Sequence, residues 1–167
     1  MLLLLLVYPY VVTLEKLKNL NLMKSRKLGM ACDHAGFQMK ELVKVYLQSI
    51  GYEVVDFGTH SEASVDYADF AHPLASAVEN GELDFGVAMC GSGNGINMTL
   101  NHHKGIRSAL CWNAEIAALA KQHNNANICT LPARFVTFEE AKAIVDAYLN
   151  AEFEGGRHEG RINKIPC

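Results

Sequence analysis

Cys90 closes an apolar run, Phe85-Gly86-Val87-Ala88-Met89, and is followed at once by Gly91-Ser92-Gly93-Asn94-Gly95. A thiol there can serve as a base or a nucleophile. Alternating glycines beside it can turn several backbone N–H groups toward one anion, either a bound phosphate or an oxyanion formed during reaction. The plainer reading is a buried cysteine, a small core residue ahead of a tight turn. The spacing also excludes several chemistries. Position 96 is Ile, so the G-x-G-x-x-G dinucleotide fingerprint is broken, and Cys111-Trp112-Asn113 stand where an acidic residue should follow the next strand. The P-loop lysine is absent. Ile96 also occupies the place of the arginine that a cysteine phosphatase needs.

Three further groups carry chemistry. Asp33-His34 pairs a carboxylate with an imidazole, able to move a proton on a hydroxyl or to hold a sugar. Alternatively, Asp33 is a helix cap and His34 a solvated loop residue. His123, in Gln122-His123-Asn124-Asn125, falls at a helix carboxyl end, where the dipole favours the imidazolium. It reads as a proton donor or acceptor, or as an ordinary surface histidine. The tail Gly155-Gly156-Arg157-His158-Glu159-Gly160-Arg161 concentrates positive charge, and in a helix Arg157 and Arg161 share a face suited to a phosphate dianion. Arg134, after the fifth apolar run, is a third candidate phosphate ligand, whereas His60, His72, His102 and His103 are assigned no role.

The elements that must position these groups alternate. Strands are expected at 27–32, 53–57, 84–90, 106–111 and 127–131. Helices are expected at 36–50, 70–79, 96–101, 114–123 and 138–149, with Pro73 in a first turn and 61–69 a polar loop. Five strand–helix alternations predict a Rossmann-like three-layer α/β/α sandwich on a five-stranded, mainly parallel sheet. Cys32-Asp33-His34, Cys90 through Gly95 and Arg134 would then sit at the strands' carboxyl ends, where open α/β sheets bind ligands.

The chain has 167 residues, half of them hydrophobic, and a net charge of −3. That suits one domain, taken as 23–167, and argues against a nucleic-acid binder, which needs a basic stripe. The five cysteines show no C-x-x-C pair and no zinc-ligand spacing, pointing to reduced thiols and a cytoplasmic protein. Residues 1–12 are almost wholly apolar but too short to span a bilayer, which takes about 20 residues. They lack the basic start and small-residue cleavage site of a signal peptide. Residues 1–22 are therefore expected to be an extension outside the core fold, with Met23 the functional start and no stable membrane association.

In order and spacing, residues 27–165 resemble the ribose-5-phosphate isomerase B family, which includes the galactose-6-phosphate isomerase subunits. The resemblance rests on Cys32-Asp33-His34-Ala35-Gly36-Phe37, Asp66-Tyr67, Cys90 through Ile96, Gly105-Ile106-Arg107, Gln122-His123-Asn124 and Gly155-Gly156-Arg157-His158-x-x-Arg161. It implies reversible aldose–ketose isomerisation of a phosphorylated sugar, in the non-oxidative pentose phosphate pathway, with neither a metal nor another cofactor. By that resemblance Cys90 is the base working between C2 and C1, and Ser92 shuttles a proton between O1 and O2. The Gly91, Gly93, Asn94 and Gly95 stretch stabilises the enediolate, and His123 opens the sugar ring with help from Asp33. His34, Arg134, Arg157 and Arg161 hold the phosphate, while Tyr67 and Asn124 line the sugar site. The family implies a homodimer or homotetramer with active sites shared between subunits. Asn94 stands where an apolar residue is expected and Ala68 where proline is common. A six-carbon sugar-phosphate isomerase and a non-catalytic sugar-phosphate sensor are the competing readings.

Overall fold

The computed structural model describes residues 26–165. The expectations for residues 1–22, and Cys167, lie outside that range. Five strands form the sheet: β1 (Lys27–Cys32), β2 (Glu53–Asp56), β3 (Phe85–Cys90), β4 (Ser108–Leu110) and β5 (Ile128–Pro132). Their order is β2-β1-β3-β5-β4 and every pairing is parallel. The helices are α1 (Phe37–Ser49), α2 (Tyr67–Glu79), α3 (Asn94–Leu100), α4 (Ala114–Asn124), α5 (Phe138–Asn150) and α6 (Arg157–Ile162).

Strand alternation sorts the core into two layers. Leu28, Met30, Val87 and Met89 face α1, α4 and α5, whereas Ala31, Ala88 and Cys90 face α2 and α3. The helix boundaries have local causes. Asn113 caps α4 by accepting a hydrogen bond from the Ile116 N–H at 2.8 Å, and Asn125 ends that helix with a left-handed φ of 45°. Thr137 and Glu140 form a reciprocal capping box at the start of α5.

Two expectations about α2 need correction. The helix begins at Tyr67, three residues earlier than the sequence suggested, and Pro73 therefore lies inside it rather than in its first turn. Asp66 is extended and breaks the chain there, while Tyr67-Ala68-Asp69 contain nothing that opposes a helix. The proline is tolerated because it is solvent-exposed, where the orphaned carbonyl a turn earlier can turn to water. β4 also starts later than the expected 106, because Arg107 spends its N–H on the Asn127 side chain at 2.8 Å rather than on a ladder, and it ends at Leu110 rather than 111.

β1 and β3 are neighbours whose connections leave in opposite directions, β1 toward β2 and β3 toward β4 across β5. Their carboxyl ends flank a switch point, the ordinary ligand crevice of an open α/β sheet. Among the described residues, no helix is long and apolar enough to cross a membrane.

Candidate active site

Cys90 is the last residue of β3 and is buried, 4% exposed. The chain leaves it through Gly91 and Ser92 into Gly93, whose φ of 76° starts α3. A side chain at 93 would be strained by that φ, would collide with Leu110, and would place its Cβ 3.1 Å from the Leu131 carbonyl oxygen. Glycine is thus required twice over where the loop passes across β5. Among the described residues, the Ser92 and Gly93 amides donate to no protein acceptor. The Ser92 hydroxyl is exposed, accepting only a long 3.4 Å contact from the Asn94 N–H. A thiol with free amides and a hydroxyl within the next three residues is equipped to accept a proton and to hold an oxyanion.

Two side chains flank this loop. Arg134 follows β5, its N–H donates to the Gly91 carbonyl at 3.0 Å, and a Cβ on Gly91 would lie 3.4 Å from its guanidinium carbon. Tyr67, in the first turn of α2, lies over Gly95, where a Cβ would come within 2.6 Å of its ring. From β1, Asp33 is buried and its Oδ1 accepts from the Ala35 N–H at 2.9 Å and the Gly36 N–H at 3.1 Å. One Asp33 oxygen is thus committed to the turn before α1 and the other is not; the helix-cap reading is not met, because the N-cap of α1 is Gly36, without a side-chain cap. The His34 Nδ1 lies 3.3 Å from the Val65 nitrogen and 3.2 Å from its carbonyl oxygen, which ties β1 to the loop that leads to Tyr67.

The four cysteines of the described residues are all reduced and buried, but their positions differ. Burial pushes the Cys32 thiol up to about 12 despite the nearby Lys40 charge, so it stays neutral. A hydrogen bond with Cys111, and then burial, push Cys129 far up as well. Cys90 alone opens onto a glycine turn.

The remaining candidates lie elsewhere. α4 starts just past the carboxyl end of β4 and runs back, so His123 and Asn124 end at the sheet's amino edge. There the Asn124 carbonyl accepts from the Arg107 Nε at 3.1 Å, immediately before β4. Register pairs Cys90 with Pro132 and Gly86 with Ile128. The two edges are therefore roughly 13 Å apart along β5 alone. The tail is helical, as its functional reading required, and α6 packs beside α4. This places Arg157 and Arg161 with His123. The predicted residues thus divide into a carboxyl-edge group (Asp33, His34, Tyr67, Cys90 to Gly95, Arg134) and an amino-edge group (His123, Asn124, Arg157, Arg161). The expected partnership of Asp33 with His123, and that of Arg134 with the other two arginines, do not form within one chain.

At the amino edge the structure adds residues that sequence reasoning passed over. The His123 and His158 rings stack, with centroids 4.3 Å apart and planes 5° from parallel. One Glu154 carboxylate oxygen lies 3.8 Å from the His123 Nε2 and 3.5 Å from the His158 Nε2. Burial, the His123 ring and Arg157 lower the His158 imidazole below its usual range, against the opposing pull of Glu154. His158 was visible inside the basic motif. Glu154 carried no signal, because it precedes the glycines and reaches His123 only through folding. These three residues offer donor types that suit a divalent cation, with ligand atoms within 4.8 Å of one another. Parallel ring planes aim the two nitrogen lone pairs side by side rather than at one point, however, so one ring would have to turn before both could bind a metal.

An open parallel sheet with a thiol and a glycine turn at its switch point, and imidazoles and guanidiniums clustered at the other edge, defines a small-molecule enzyme of the α/β class. Comparison supplies the particular family: the model described as Ribose/Galactose Isomerase matches residues 28–165, and the chain belongs to that family. It is 42% identical over 140 residues to ribose-5-phosphate isomerase B of Escherichia coli strain K12, covering 84% of this chain and 94% of that protein. It is 44% identical over 143 residues to the probable ribose-5-phosphate isomerase B of Mycoplasma genitalium, covering 84% of this chain and 94% of that protein. Among solved structures, the Thermotoga maritima ribose 5-phosphate isomerase superposes with a TM-score of 0.82 at 50% identity, covering 83% of this chain and 96% of that one. The Mycoplasma genitalium ribose-5-phosphate isomerase B with bound ribulose-5-phosphate gives 0.80 at 43%, covering 83% and 93%.

Proposed function

We propose that this chain interconverts ribose 5-phosphate and ribulose 5-phosphate through an enediolate, with Cys90 as the base. The carrying observation is the buried Cys90 thiol followed by the unpartnered Ser92 and Gly93 amides at the switch point. In the open-chain aldose, the Cys90 thiolate takes the C2 proton and the C2 electron pair moves to form the enediolate. Ser92 relays a proton between O2 and O1, and Cys90 returns its proton to C1. The loop amides hold the developing oxyanion, each such donor contributing about 2.7–4 kcal/mol. His123 protonates the ring oxygen to open the furanose. The arginines and His34 bind the phosphate, and Tyr67 and Asn124 bound the sugar.

The division of these residues between two edges supports a homo-oligomer in which the amino edge of one subunit completes the carboxyl edge of another. Tyr67, Trp112 and Phe135 rim the carboxyl edge at 39%, 57% and 73% exposure, an apolar surface suited to a second copy. The reduced thiols fit a cytoplasmic enzyme.

The test is loss of the C2 proton in deuterated buffer, followed by NMR, for ribose 5-phosphate and for the 6-phosphates of allose and galactose. Ribose 5-phosphate should exchange fastest. Cys90→Ala should slow exchange about a thousandfold, within the range expected for removing a general base, while still binding sugar phosphate. Preference for a hexose phosphate would move the assignment to that substrate. No exchange with any of them would leave only a sugar-phosphate sensor.

A further inference from the structure

A cavity of about 420 Å³ opens at the amino end of β3, between the last turn of α4 and the segment that follows α5. Arg26 and Lys121 form one wall, both held over the Phe85 ring, at 5.6 and 5.1 Å from its centroid. Asn125, Asn150 and Glu152 supply polar groups on the rest of the lining. None of these residues belongs to either half of the site described above.

The charge arrangement is unusual for a chain whose net charge is −3. Arg26 and the nearby Arg107 each sit close enough to repel Lys121. Together with burial, which is the larger effect, that repulsion lowers the Lys121 ammonium below its usual range. Among the described residues, no carboxylate lies within ion-pair distance of any of the three, and Glu152, although in the wall, reaches none of them. Arg107 spends its donors on the Asn124 and Asn125 carbonyls, and Lys121 has a single 3.3 Å contact with the Ala126 carbonyl. Like charges gathered in a recess without counter-charges destabilise the fold unless an anion offsets them.

We infer that this recess is a second anion site, which takes the phosphate group of a small phosphorylated polyol against Arg26 and Lys121. The Asn125 and Asn150 amides and the Glu152 carboxylate face its hydroxyls. The volume matches a ligand of that size, since small-molecule sites run from about 300 to 1,000 Å³. Phosphate at this position needs no catalytic group nearby, so the site binds without turnover.

The probe is glycerol 3-phosphate, a phosphorylated polyol with no carbonyl to isomerise, titrated into the full chain by calorimetry. The measurement is repeated on Lys121→Gln, on Arg26→Gln and on the double variant Arg157→Ala/Arg161→Ala, which removes two of the proposed substrate-phosphate ligands. The expected result is saturable binding that weakens at least fivefold in Lys121→Gln and in Arg26→Gln and persists in the double variant. Arg26 is solvent-exposed, so its variant keeps the test valid should Lys121→Gln fail to fold. Absence of binding, or binding that survives both single substitutions and vanishes in the double variant, would overturn the proposal. Isomerase activity is not the readout, so failure here and failure of the isomerase assignment are distinguishable; only the choice of the double variant rests on that assignment.

Discussion

The Gly95 backbone leaves room for the Tyr67 ring. Tyr67 is partly exposed and its ring is the free end of a side chain, so an added methyl would push it aside rather than unfold the protein. Gly95→Ala should therefore reduce kcat/KM for ribose 5-phosphate about tenfold or more, equivalent to about 1.4 kcal/mol of lost transition-state stabilisation. The melting temperature should stay within a few degrees of the parent. Steady-state kinetics beside thermal denaturation separate the two effects, and an unchanged kcat/KM would remove Tyr67 from the sugar site. At this scale the sequence was informative wherever chemistry is local. Cys90 and its glycines are consecutive, so strand, turn and helix start could be read directly. Glu154 was illegible, because its relation to His123 depends on the chain returning from α5 to the end of α4.

The β1 end, which carries Asp33 and His34, is held by a buried ion network. Lys40 on α1 is fully buried and donates to both Asp56 oxygens at 2.6 Å, and Lys44 adds a 2.7 Å bond. Asp56 also accepts from the Gly58 N–H at 3.0 Å, and the Gly58 carbonyl in turn accepts from the Cys32 N–H at 2.7 Å. The network thereby fastens α1, β2 and the loop beyond β2 to the strand end next to the site. Burial alone would push the Asp56 carboxyl up, but the bonds from Lys40, Lys44 and Gly58 outweigh it and hold the group below the usual carboxylate range. A carboxyl depressed in the folded state stabilises the protein above its unfolded value of about 3.9, and that contribution is lost as pH falls through the folded value. Urea unfolding should thus show stability declining below about pH 4. In Asp56→Asn this part of the acid decline should be missing, and stability at pH 7 should already be lower, because the buried Lys40 then keeps only the Glu41 carboxylate, at 3.0 Å, as a counter-charge. An acid profile of the variant parallel to the parent's would show that Asp56 contributes nothing to it. The sequence displayed these elements through periodicity and breakers. It did not display their ties, since Lys40 reads as an ordinary polar position of an amphipathic helix and the start of α2 was misjudged by giving Pro73 too much weight.

At the scale of the whole molecule, topology decides which residues can work together. A parallel sheet sends its strand ends to one edge, and each returning helix delivers its carboxyl end to the other. His123 at the end of α4 must lie across the sheet from Cys90 at the end of β3, whatever the side chains prefer. This division follows from the strand–helix alternation that the sequence displayed, whereas the lateral strand order, with β5 inserted between β3 and β4, has no local signature. If two subunits complete each other's sites across a two-fold axis, every dimer holds two sites, each built from the Cys90 of one chain and the His123 of its partner. Cys90→Ala and His123→Ala homo-oligomers should then each be inactive. Unfolded together and refolded as an equal mixture, half of the dimers combine one chain of each kind. In such a dimer one site contains both lesions and the other contains neither. About a quarter of the parental activity should therefore return, by statistical assortment of equivalent subunits. A site formed within one chain predicts no recovery, because every chain retains its own lesion. Recovery near a quarter, with kcat per intact site and KM equal to the parent's, would establish that the amino edge of one subunit supplies the acid for the carbon chemistry at the carboxyl edge of another.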